Sequence, residues 1–191
     1  MLLSDLGIEY KTVAPATVAV VRRTFSDRKA LAAILSEVKT TIPAGLIDGP
    51  GFCVFRWVTS VCDGFDGEIG YPVHSSFDNP LVTCRTLGGM QVLSLVHRGP
   101  IEGLRGAQRL LFGSAADLGI VSDEFMREVY LDADNPLGQS IELQFVIHDW
   151  PTLLRQHACR VLGQPVGSQL TAAGAELAVD CGVGPRFDWL K

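Results

Sequence analysis

The sequence predicts an α+β domain. A βαββ unit occurs twice and forms a curved antiparallel sheet with two helices on one face, followed by a helical C-terminal extension. Three observations predict it. The pattern strand, helix, strand, strand appears, and then appears again. Arg28 and Glu102, near the openings of the two helices, stand 74 positions apart, as do Glu68 and Glu142 in the last strand of each unit. Trp57 and Tyr130, in the preceding strands, stand 73 apart. This period exceeds a solenoid repeat, so the two units are read as one domain, residues 1–150, with residues 151–191 as the extension. Each unit alone would leave its sheet uncovered.

The elements follow in order. Ile8–Thr24 is β-rich, and the run Val18–Val21 reads as a central strand, with a bend or bulge at Pro15. Ser26-Asp27-Arg28 offers an N-cap. Leu31, Ile34, Leu35 and Val38 then make one helical face, which Pro43 and Gly45 end. Phe52–Thr59 and Gly67–Val73 are strands joined through Asp63-Gly64. Leu81–Leu87 and Met90–His97 flank Gly88-Gly89, a hairpin signal. A second helix runs over Ile101–Leu118 with Leu104, Ala107, Leu111 and Ala115 on one face and Gly119 at C′. Phe125–Leu131 and Ser140–His148 are the last strands. Beyond Trp150, two short helical patterns lead to the apolar tail Phe187–Leu190, which would cover the sheet or a partner subunit and makes a homodimer an expectation.

Composition narrows the function. Of 191 residues, 47% are hydrophobic and 19% charged, enough for a core and too little charge for an extended disordered chain. Sixteen basic against 21 acidic residues give a net charge of −5, so direct nucleic-acid binding is not expected. No apolar run reaches the roughly 18 residues that span a bilayer. Asp5 and Glu9 interrupt the start too early for a signal-peptide core. Five cysteines without a CxxC read as reduced thiols in a cytoplasmic protein. His97, His148 and His157 have no metal-ligand spacing, and Gly88-Gly89 is not a phosphate loop, because no helix follows it directly. No metal or cofactor is expected.

Two carboxylates stand out. Strand alternation puts Glu142 opposite Leu143 and Phe145, so it faces the concave side if those two face the helices. Glu68 shares its face with Gly70, which leaves room beside it. Phe55 and Trp57 share one face, as do Glu128 and Tyr130. A carboxylate walled by aromatic rings suits an organic cation or a planar apolar compound. Desolvated, it would also be suited to general-acid work. The ligand-binding candidates are therefore Phe55, Trp57, Glu68, Glu128, Tyr130 and Glu142.

Several stretches resemble the GyrI-like, or AraC-type effector-binding, domains: Val13–Arg22, Glu68–Val73, Leu87–Val92, His97–Ile101, Arg127–Leu131 and Ile141–Ile147. The resemblance covers roughly Ile8–Trp150. It implies a duplicated βαββ fold, the SOUL/SHS2-like arrangement, with a ligand cleft between the halves. In multidrug-sensing relatives a buried glutamate among aromatics binds cationic amphiphiles. Glu142 matches that glutamate's strand and Tyr130 the aromatic-bearing strand. Other relatives hydrolyse strained cyclopropane compounds or inhibit gyrase. No DNA-binding segment is read before Ile8 or after Trp150. The expectation is a stand-alone protein that binds a hydrophobic, cationic small molecule. The alternatives are a xenobiotic hydrolase with Glu142 and Glu68 as catalytic residues, and a gyrase-inhibitor-like interaction protein.

Overall fold

The computed structural model describes residues 3–56, 65–118, 120, 125–132 and 140–147. Its strands are β1 (Ile8–Val13), β2 (Ala16–Phe25), β3 (Phe52–Arg56), β4 (Phe65–Pro72), β5 (Thr83–Leu87), β6 (Met90–Arg98), β7 (Phe125–Tyr130) and β8 (Ser140–Ile147). The helices are α1 (Arg28–Thr41) and α2 (Leu104–Asp117). Trp57, His148, Gly119, the Asp63-Gly64 connection and the whole expected extension lie outside the described residues.

All eight strands form one sheet in the order β1-β6-β8-β7-β3-β4-β2-β5, and every pairing is antiparallel. The two βαββ units are β2-α1-β3-β4 and β6-α2-β7-β8, which meet where β3 pairs β7. The fold class is thus the one the sequence predicts: a curved antiparallel sheet with two helices.

The Gly88-Gly89 signal turns out differently. It does not close a hairpin, because β5 pairs with β2 and β6 pairs with β1. The bend expected at Pro15 is likewise a full exchange between β1 and β2. These two turns touch: Gly89 N–H donates to Val13 O at 2.7 Å. A Cβ on Gly88 would lie 2.3 Å from Ala14 O. Gly88 and Gly89 have φ of 124° and 73°, values that glycine adopts at little cost. Local sequence marks the turn, but it does not choose the strands' partners.

That exchange forces the curvature. Val13 and Ala16 are separated by three Cα steps, at most about 11 Å. Their strands are first and seventh in the sheet, which laid flat would stand about 29 Å apart. The sheet must therefore curl until its two ends meet at these turns.

Asp27 caps α1 by accepting from Ala30 N–H at 2.9 Å, satisfying a donor that the first turn leaves free. Leu31, Leu35 and Val38 of α1 are buried, as are Leu104, Leu111 and Ala115 of α2. Gln108 is buried on the same stripe of α2, for a reason found at the sheet.

Candidate ligand-binding face

Residues opposite one another in adjacent strands share a face. Glu128 of β7 bonds Arg28 of α1 and Gln108 of α2, so both helices lie on the Glu128 face. The other face carries a row that crosses six strands in register: Val20, Gly70, Phe52, Val129, Glu142 and Val96. The neighbouring row reads Arg22, Glu68, Val54, Arg127, Gln144, Ser94 and Glu9.

Glu68 and Glu142 therefore share the face away from α1 and α2, helix-free among the described residues. Between them lies an apolar cluster of Val18, Val20, Phe52 and Val129, with Val54 and Leu87 packed against it. Phe52 is fully buried and Val18 is 1% exposed. Each glutamate is bound by a base from an exchanged strand. Lys11 of β1 pairs with Glu142, and Arg85 of β5 pairs with Glu68. Lys11 and Arg85 stand 74 positions apart, the interval that relates the two acids. The same offset could have revealed both bases in the sequence.

Glu142 is 7% exposed. Burial pushes its carboxyl pKa up, but hydrogen bonds from Lys11, Ser94 and Gln144, with the Lys11 charge, outweigh that and hold it below the usual value. Arg127 sits between the two acids with its guanidinium 4.5 Å from the Phe52 ring centroid, in cation–π range. Burial lowers its pKa, and the Glu142 charge opposes that shift. Among the described residues, Arg127 Nε and Gln144 Oε1 have no hydrogen-bond partner.

Gly70 has a different role from the one expected. A Cβ there would meet Ala19 O at 2.0 Å, so the close approach of β2 and β4 accounts for the glycine.

The other candidates lie elsewhere. Phe55, Glu128 and Tyr130 are on the helix face, apart from Glu68 and Glu142. Phe55 packs edge-on against Phe25 and Phe65, with centroids 5.8 and 6.0 Å away. Glu128 has no solvent exposure. Its oxygens accept from Arg28 Nη1 and Nη2 at 2.6 and 2.7 Å, from Gln108 Nε2 at 3.1 Å and from Tyr130 Oη at 3.0 Å. Burial and the Glu128 charge push the Tyr130 hydroxyl well above its ordinary value. Burial opposes the Arg28 charge, but Glu128 and Tyr130 outweigh it and raise that pKa. The expectation of one cleft joining all these groups is therefore corrected. Strand alternation splits them between faces, and Glu128 and Tyr130 fill the space beneath the helices. Sequence reasoning missed Lys11, Arg85, Ser94, Arg127 and Gln144 on the free face.

His97 Nε2 lies 3.0 Å from Pro100 O, and His74 lies 3.3 Å from Asp48. Among the described residues no group of three or more His, Cys, Asp or Glu side chains could hold a metal, and no helix is long and apolar enough to cross a membrane.

No family model and no curated protein matches the chain. Solved structures do. The C-terminal domain of EcmrR aligns with a TM-score of 0.62 and 18% identity, over 74% of this chain and 97% of that one. SAV2435, solved bound to tetraphenylphosphonium, aligns with a TM-score of 0.55 and 11% identity, over 78% and 99%. The chain shares the fold of these structures. This chain spans 57% of the EcmrR chain solved in a complex with DNA, at 19% identity and a TM-score of 0.62, with 74% of this chain covered. A hydrolase from Listeria innocua aligns with a TM-score of 0.50 and 12% identity, over 74% and 91%. At such identities the likeness shows the fold alone.

Proposed function

We propose that residues 1–150 form a GyrI-like small-molecule-binding domain whose hydrophobic ligand lies on the helix-free face. One observation carries this reading. Val18, Val20, Phe52 and Val129 make a buried apolar cluster on the face away from α1 and α2, with the partly buried Val54 and Leu87 at its edge and the Lys11–Glu142 and Arg85–Glu68 pairs beside it. Apolar floors with a few placed polar groups are how proteins hold small ligands. The ligand-bound state of SAV2435, which has a similar fold, supports the same use.

Binding is favoured over hydrolysis by the state of the carboxylates. A general base must be free to take a proton, with a pKa near the working pH. Glu68 and Glu142 are both committed to ion pairs, and Glu142 is held below its ordinary range.

The test uses the partly buried Val54, at the edge of the cluster. Thermal-shift and calorimetric titration with aromatic amphiphiles should show binding to the wild type. Val54→Asp should weaken it more than tenfold while the far-UV spectrum is kept. No binding by the wild type, or equal binding by the variant, would reject the reading.

A further inference from the structure

The charge on the helix-free face has a consequence for the ligand, resting on the proposed function above. Lys11 holds Glu142, Arg85 holds Glu68, and Arg22 holds Asp66 with contacts down to 2.5 Å. Every carboxylate in these pairs already has a cation. Arg127 lies centrally among them, over Phe52, and has no carboxylate within 4 Å among the described residues. Beside Arg127, an incoming cation would have to displace Lys11 or Arg85 from its partner, because Glu9, the other carboxylate of this row, stands three strands away on β1. An incoming anion would meet a positive charge without breaking any pair.

Two further observations mark the same spot. Gln144 faces Arg127 across β7 and β8, is 4% exposed, and has an Oε1 without a donor among the described residues. Glu142 fixes that orientation, because an ionised carboxylate accepts the amide N–H and turns the amide oxygen away. The Nε of Arg127 is likewise without an acceptor. Buried polar atoms in native proteins are rarely left this way.

We infer that this face selects amphiphiles carrying a carboxylate, with the anionic group on Arg127 and the apolar body against Val54 and Leu87, at the edge of the buried Val18, Val20, Phe52 and Val129 cluster. Guanidinium and carboxylate match in geometry as well as charge. An N–H or hydroxyl on the ligand would satisfy Gln144 Oε1.

The experiment compares three probes with one apolar body: 2-naphthoate, 2-naphthylmethanol and 2-naphthyltrimethylammonium. Calorimetric titration of the full chain should show 2-naphthoate at least tenfold tighter than the ammonium. Raising salt should weaken 2-naphthoate most. Arg127→Gln should bring 2-naphthoate down to the affinity of the alcohol measured on the same variant, and Arg127→Lys should keep part of the preference. If the ammonium binds as well as or better than 2-naphthoate, the inference fails and the proposed function stands. An unchanged preference in Arg127→Gln also overturns it. If none of the three binds the wild type, both readings fail. The wild-type comparison decides the matter even if the variants do not fold.

Discussion

Glu142 keeps its charge in a buried place because its donors outweigh the loss of water. That makes it a source of pH-dependent stability. Its folded pKa is lowered, so its contribution is full above the unfolded value, roughly 4.3, and is lost as pH falls through the folded value. Glu142→Gln should flatten this part of the acid limb in urea titrations, with a difference on the order of 1 kcal/mol between neutral and acidic pH. A difference that stays constant with pH would contradict the assignment. The pairing of Glu68 with Glu142, and their shared face, were legible from period and alternation. The ion pairs were not, because the offset that relates Lys11 to Arg85 does not say which acid each base meets.

Glu128 joins elements. Its carboxylate ties the start of α1 and the middle of α2 to β7, so one buried charge fixes both helices on the sheet. Arg28→Met would leave that charge short of its counter-ion and should cost about 3 kcal/mol in urea denaturation. Adding Glu128→Gln should return part of the loss, since a neutral amide needs no cation. A double variant less stable than Arg28→Met alone would show that the charge is not the cause. Gln108 could have been found in the sequence. It occupies the stripe of Leu104, Leu111 and Ala115, and a glutamine among apolar positions signals a buried polar partner. Which strand supplies that partner was not readable, because alternation gives two faces without saying which one the helices cover.

At the scale of the whole molecule, the exchanged strands β1 and β5 hold the halves together. Each half completes the other's sheet, and the turns that allow the exchange touch at Gly88 and Ala14. Gly88→Ala should cost more than about 1 kcal/mol, because alanine disfavours its positive φ and the new Cβ meets backbone that cannot step aside. A variant as stable as the wild type by thermal melting would show that the crossing tolerates a side chain.

The sequence by itself determined the two helices, the strands, the repeat and the alternation that turns Glu68 and Glu142 the same way. These depend on residues a few positions apart or on one fixed interval. Only the tertiary structure decided that β1 and β5 change halves, that Glu128 and Tyr130 go beneath the helices, and that each acid already has a base. The physical reason is that strand pairing and charge neutralisation are settled between distant segments, where the same local pattern admits several partners and packing selects one.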